Sequence, residues 1–257
     1  MDAYSSCFQV AIATGRDASY AKMATHMTRL HFIGGEKGGV GKSVVARIIA
    51  QYFIDQNIPF LGFDSDKSHS SLLRFYAEYA SPIVIDEYEG LDHIVNVAVE
   101  QPERRVLVDL AAQSHRILSR WIDESGLIDL SAELDLSLTY WHVMDSGRDS
   151  ADLLATLLDE FGGRLPLVVV LNEVRGGNFA ILESSGALDR ARSLGAQVVG
   201  VGRLPDSTMQ KIDAHNTSFW AASNRGGKDG SAFGLLERQR VKHWLHKAYA
   251  EISRVEP

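Results

Sequence analysis

Gly38-Gly39-Val40-Gly41-Lys42-Ser43 has the plainest chemistry in this 257-residue chain. Three closely spaced glycines let the backbone bend tightly and turn its N–H groups toward an anion, where a Cβ would obstruct the approach. A lysine ammonium at the end of such a loop can reach the β- and γ-phosphates of a nucleotide, and a serine hydroxyl beside it can ligate Mg2+. The flanks supply the context this chemistry needs. Leu30-His31-Phe32-Ile33 reads as a strand, and Val44 to Ala50 continues into a helix from about Ser43 to Gln56. The N-terminus of that helix directs a positive dipole end at the same place.

Carboxylates close two further apolar runs. Phe60-Leu61-Gly62-Phe63 leads into Asp64-Ser65-Asp66, and Arg105-Val106-Leu107-Val108 leads into Asp109. Ligands of open α/β sheets sit at the C-terminal ends of the strands, which places these groups for a metal ion or a water. Capping of a helix through Ser70-Ser71-Leu72 is the alternative for Asp64 and Asp66. The run from Pro166 to Leu171 ends at Asn172, whose amide offers both a donor and an acceptor, although a turn before Gly176-Gly177 would also use it.

Lys37-Gly38-Gly39-Val40-Gly41-Lys42-Ser43 resembles the deviant Walker A motif of the ParA/MinD family of ATPases. The resemblance runs in order over roughly residues 28–220: Asp64-Ser65-Asp66 is similar to switch I, Asp109 to the Walker B aspartate, Asn172 to the adenine-reading asparagine, and Gly202-Arg203-Leu204-Pro205-Asp206 to the proline-containing adenine loop. It implies ATP or ADP with Mg2+ as cofactors. Nucleotide contacts are then expected from Glu36, Lys37, Gly38, Gly39, Val40, Gly41, Lys42, Ser43 and Val44, and from Asn172, Arg203, Leu204, Pro205 and Asp206. Ser43, Asp64, Asp66 and Asp109 form the implied metal environment. Lys37 is the implied trans-acting lysine that crosses to a partner's nucleotide, Lys42 the phosphate lysine, and Asp66 the group on the attacking water. The implied function is a slow ATPase that forms a homodimer on ATP binding and positions a cargo or adaptor protein; non-specific DNA is a candidate partner and a membrane surface a disfavoured one, and the choice of matrix stays open. Asp109-Leu110-Ala111-Ala112-Gln113 and the segment from Asp145 to Leu154 are similar to the conjugal-transfer and mobilisation branch, the TraL-like proteins, which points to plasmid maintenance or conjugal DNA transfer.

The chain departs from the family pattern in three places. Glu36 stands where the strict loop pattern has glycine, and a carboxylate beside phosphates is repulsive unless turned away. Lys67-Ser68 replaces a Pro-Gln pair after switch I. No glycine follows Asp109, so the amides of Ala112 or Gln113 are left to meet a γ-phosphate, and the Gln113 side chain can hold water. Two other classes remain open. A ligase resembling dethiobiotin synthetase would use the same loop but needs no signature lysine, so Lys37 counts against it. A weakly hydrolysing scaffold that binds DNA or membrane would suit the irregular loop after Asp109 and a basic terminal helix.

The elements that position these residues follow from pattern. Apolar residues make up 45% and charged ones 23%, enough for a sizeable core, and the net charge of −7 argues against an all-over nucleic-acid coat. The single cysteine, Cys7, excludes an internal disulfide or a Cys-x-x-Cys metal site and fits a cytoplasmic location. No run approaches the roughly twenty apolar residues that span a bilayer. Strands alternate with helices throughout, which predicts one three-layer α/β domain over 28–257 with a mostly parallel sheet, after a poorly ordered extension over 1–27. Further strands are expected at Pro82–Asp86, Ser137–Met144 and Gln197–Val201. Helices are expected at Leu91–Val99, Gln113–Glu124, Ser150–Phe161 and Ala180–Leu194, and a surface loop at Asn224–Gly230. The terminal helix, from Ala232, carries an apolar stripe of Phe233, Leu236, Val241, Trp244, Leu245, Ala248 and Ile252 that is expected to pack on the sheet rather than on a membrane.

Overall fold

The computed structural model describes residues 28–225 and 233–255. The expected N-terminal extension and most of the expected loop after Asn224 lie outside the described residues. Seven strands form one sheet: β1 (Thr28–Gly34), β2 (Phe60–Asp64), β3 (Ala80–Pro82), β4 (Arg105–Asp109), β5 (Leu136–Met144), β6 (Leu167–Asn172) and β7 (Gln197–Val201). Their order is β3-β2-β4-β1-β5-β6-β7 and every pair is parallel. The strands are apolar on successive residues because both faces are covered.

Eleven α-helices among the described residues cover those faces: α1 (Lys42–Asp55), α2 (Ser71–Phe75), α3 (Tyr88–Glu100), α4 (His115–Ser125), α5 (Leu127–Glu133), α6 (Arg148–Phe161), α7 (Ala180–Ser185), α8 (Ala187–Ser193), α9 (Asp206–Ala214), α10 (Phe219–Asn224) and α11 (Leu235–Ile252). Side chains alternate across the sheet, so each strand feeds two cores. Leu30, Phe32, Val106, Val108, Leu138 and Val169 join α3 to α8, whereas Ile33, Leu107, Trp141, Val143, Val168 and Val170 join α1 and α9 to α11. Together these make the expected three layers.

The central strand β1 lies between β4 and β5, where the chain reverses its direction of travel across the sheet. Ile33 is in register with Asp109, which is in register with Asp64. The loop after β1 and the carboxylates ending β2 and β4 therefore emerge side by side.

Several elements differ from expectation. The edge strand β3 ends at Pro82 because only Ala80 to Pro82 match Gly62 to Asp64. Beyond it, Val84 turns out to solvent and its carbonyl closes on Gly90, where a Cβ would lie 1.7 Å away. The helix expected over Ala180–Leu194 is broken at Gly186 (φ 73°), and α5 follows α4 after Gly126 (φ 62°); glycine accepts this left-handed geometry without the Cβ penalty. Short α10 was not foreseen; its Ser218 cap accepts from the Ala221 N–H at 3.2 Å. In α11, Phe233, Val241, Trp244, Leu245, Ala248 and Ile252 are buried as expected, but Leu236 is 67% exposed. Five residues before Val241, it lies about 140° round the helix from it. The terminal helix packs on β7, α1 and α10, as its stripe requires. No helix among the described residues is long and apolar enough to cross a membrane.

Candidate nucleotide site

The loop between β1 and α1 is shaped by two positive-φ glycines, Gly39 (φ 75°) and Gly41 (φ 94°). Gly41 admits no side chain, since a Cβ would meet Asn172 Nδ2 at 2.2 Å. Gly38 faces open space, with nothing within 4 Å of a Cβ. Val40 is buried and Val44 packs half-buried on the α1 core, so the loop can offer an anion their main chain rather than their side chains.

Lys42 opens α1 and is 8% exposed, its ammonium donating to the Lys37 carbonyl at 3.3 Å. Burial lowers its pKa, and Asp109, Glu36 and Asp66 oppose that shift. Asp109 is 1% exposed. Burial and then the neighbouring Asp64 carboxylate push its pKa up to about 8, while the Ser43 hydroxyl and the Lys42 ammonium pull it down. Neither Asp109 oxygen makes a hydrogen bond of normal geometry among the described residues. A buried carboxylate without a hydrogen-bond partner calls for positive charge. Among the described residues no group of three or more His, Cys, Asp or Glu side chains could enclose a metal. A cation beside Asp109 would rely on this one carboxylate, the Ser43 hydroxyl, phosphate oxygens and water, a donor set that suits Mg2+.

The switch I residues are arranged otherwise than expected. Asp64 Oδ1 accepts from the Asp66 N–H at 3.0 Å and Oδ2 from the Leu73 N–H at 3.0 Å, so both oxygens hold the turn into α2. Burial raises its pKa against those amides. Asp66 Oδ1 accepts from the Ser68 and His69 N–H groups, at 2.8 and 3.1 Å, and Oδ2 lies 3.2 Å from His69 Nδ1. Burial works against ionisation, but these partners prevail and hold the Asp66 pKa below the usual carboxylate value. The capping alternative describes Asp64, whose Oδ2 meets the first turn of α2, whereas Asp66 closes the turn that precedes that helix. Between them, Ser65 Oγ donates to the Asp109 carbonyl at 3.1 Å and accepts from the Ala111 N–H at 2.9 Å, stitching this turn to the loop after β4.

Lys37 is turned toward its own chain. Its ammonium lies 3.3 Å from Asp145 Oδ1, just beyond β5, and 3.6 Å from the exposed Asp149 at the start of α6. Asp145 is fully buried and also faces Arg175 Nε at 3.1 Å. Burial opposes its ionisation, but hydrogen bonds from Ser150, Gly147 and Lys37 hold its pKa low. Sequence reasoning gave Asp145 no part in the site, only a place in the segment that leads into α6, and passed over Arg175. The available signal was the one used for Asp64 and Asp109, an acid at the end of an apolar run.

Glu36, a repulsive presence if it faced phosphates, is turned away: its Oε1 accepts from the His115 N–H at 2.8 Å, at the N-terminus of α4. A carboxylate there also complements the helix dipole. Asn172, expected to read adenine, instead directs its Nδ2 to the Val40 carbonyl at 2.8 Å and is buried. In the expected adenine loop, Arg203 forms a two-pronged pair with Asp206, at 3.2 and 2.6 Å. Leu204 is buried in the core, which removes its side chain from any base, while Pro205 is exposed. Trp244 Nε1 of α11 donates to the Gly202 carbonyl at 2.6 Å and tethers the loop to the terminal helix.

Known proteins share sequence and fold with this chain. Protein MobD of Acidithiobacillus ferrooxidans is 31% identical over 134 residues, covering 51% of this chain and 57% of MobD. Protein TraL of Escherichia coli is 29% identical over 157 residues, covering 58% of this chain and 65% of TraL. The matched stretch thus spans less than two thirds of either relative. The fold is shared with a ParA family ATPase from Chlorobium tepidum TLS, at a TM-score of 0.50 and 15% identity over 85% of this chain and 99% of that one. Residues 31–218 match the CobQ/CobB/MinD/ParA nucleotide binding domain, and the chain belongs to that family.

Proposed function

We propose that this chain binds ATP with Mg2+ and, in that state, pairs face to face with a second copy, the pair parting after slow hydrolysis. The observation that carries the reading is the buried Asp109 carboxylate, which makes no hydrogen bond of normal geometry among the described residues and faces the Ser43 hydroxyl and the Lys42 ammonium at the mouth of the phosphate loop. Bound Mg2+ would supply charge for Asp109 and Ser43 to hold and would draw the phosphates against Lys42. The main-chain amides of residues 38–44 would receive the phosphate oxygens, with the positive end of α1 behind them. Adenine would lie toward the ends of β6 and β7, against the remaining amide valences of Asn172 and the Gly202 to Asp206 turn. Lys37 would leave Asp145 to meet the partner's nucleotide, its place at the rim being compatible with that movement. ATP shifts the equilibrium to the dimer only through contacts that the monomer lacks.

The similarity to MobD and TraL supports a role in plasmid mobilisation or conjugal DNA transfer, with an adaptor or cargo protein as partner and non-specific DNA as a second one. Calorimetric titration with ATP in the presence and absence of Mg2+ tests the reading. Native protein should bind with a strong Mg2+ dependence, and Asp109→Asn should lose that dependence while keeping residual ATP affinity. Equal affinity with and without Mg2+ in the native protein would remove the metal role given to Asp109.

A further inference from the structure

Gln113 stands four residues after Asp109, where the resembled pattern has glycine, and its backbone keeps the left-handed conformation that glycine favours, with φ 63°. A glutamine persists there only if its surroundings over-determine the loop. They do. On one side the Ala111 N–H is held by Ser65 Oγ at 2.9 Å, and the Ala111 carbonyl accepts from Ser114 Oγ at 2.9 Å. On the other, the His115 N–H is held by Glu36 at 2.8 Å. Gln113 is thus pinned between switch I and the phosphate loop, and its side chain is exposed, with no hydrogen bond among the described residues. Asp66, the obvious group for a water, has both oxygens engaged by Ser68 and His69.

Resting on the ATPase reading above, we infer that Gln113 is the side chain that orients the attacking water. Its amide offers a donor and an acceptor and takes up no proton, so it aligns water without deprotonating it, a role glutamine fills in other phosphoryl-transfer enzymes. The water oxygen forms a bond to the γ-phosphorus, and the bond from that phosphorus to the bridging oxygen breaks with its electron pair staying on ADP. The water's proton leaves through the released phosphate to solvent. The anchored backbone holds residue 113 in the loop between switch I and the phosphate loop, from which the amide would reach the water.

Gln113→Ala keeps the Cβ, and with it the same backbone demand, while removing the amide. Gln113→Gly removes the amide and relieves the strain. Each is compared with native protein by calorimetry with ATPγS–Mg2+ and with ADP–Mg2+–aluminium fluoride, by single-turnover hydrolysis, and by melting temperature without nucleotide. Both variants are expected to bind ATPγS–Mg2+ as the native chain does. They should hydrolyse ATP about tenfold more slowly or worse, and bind the fluoride complex weaker by a similar factor. The Gln113→Ala melting temperature should match the native one. Native hydrolysis and native fluoride affinity in both variants would overturn the assignment while leaving the ATPase reading intact. Equal losses of ATPγS and fluoride affinity would also overturn it, assigning Gln113 to the shape of the phosphate site. A native chain that takes up no ATPγS–Mg2+ would remove the underlying reading as well.

Discussion

At Lys42 a buried ammonium lies in the field of Asp109, Glu36 and Asp66, and its removal takes from the phosphate loop the cation that opens α1. Lys42→Ala should therefore weaken ATP binding by about a hundredfold or more, since a charge-assisted contact in a partly desolvated site is lost; a fluorescent ATP analogue reads it directly. His142, inside β5, gives a different test. Burial, with help from His115 and Lys42, lowers its pKa to about 4 from an ordinary value near 6.5. The unfolded chain then binds a proton between those values that the native chain refuses, so stability is full above pH ~6.5 and falls as the pH drops toward 4. Between pH 6.5 and 5 the loss should be about 2 kcal/mol, and Gln in place of His142 should flatten that decline in urea titrations. Lys42, Ser43 and Asp109 were legible from residue type and spacing because their chemistry is local to the loop and strand ends. The partners of Glu36 and Asn172 were not, since they lie 79 and 132 residues away in the chain and only folding brings them together.

Helices and strands were read well wherever an apolar run had one dominant period. α1, α3, α6, β4, β5, β6 and β7 fall within a few residues of expectation, because burial on one stripe or on both faces leaves a plain pattern. The breaks at Gly126 and Gly186 and the shortened β3 were hidden, since a periodic stretch does not reveal where a turn is tight enough to need φ above zero. The packing of α1 against its neighbours yields a prediction with a definite sign. Arg47 is buried, paired with Asp213 of α9 at 2.9 Å, and sandwiched by Phe75 at 3.6 Å and Phe219 at 4.6 Å. Its Nε and Nη2 have no hydrogen-bond partner among the described residues. Asp213→Ala should cost about 3 kcal/mol, because it strands a buried cation, whereas Arg47→Met, which fills the aromatic slot without charge, should be neutral or stabilising. At α4, Glu36→Ala removes the carboxylate from the helix N-terminus and should lower stability by about 1 kcal/mol. Both are read from denaturation midpoints.

Over the whole molecule, two cavities among the described residues lie away from the phosphate loop. One, of about 620 Å³, runs along β2 and the approach to β3; the other, of about 690 Å³, lies among α1, α2 and α10. The loop itself opens onto the face formed by the strand C-termini, with Gly38 toward open space and Asp149 79% exposed beside Lys37. In the proposed dimer a second copy would cover this open loop and the lysine at its rim. The alternation of strands and helices made the layered fold legible, but the face left uncovered emerged only from the three-dimensional arrangement. Light scattering of the purified chain after size exclusion, with and without ATPγS–Mg2+, tests that account most directly. It predicts a mass of 28.3 kDa without nucleotide and twice that with it, a doubling lost in Lys37→Ala. A native mass of 28.3 kDa under saturating ATPγS–Mg2+ would contradict it.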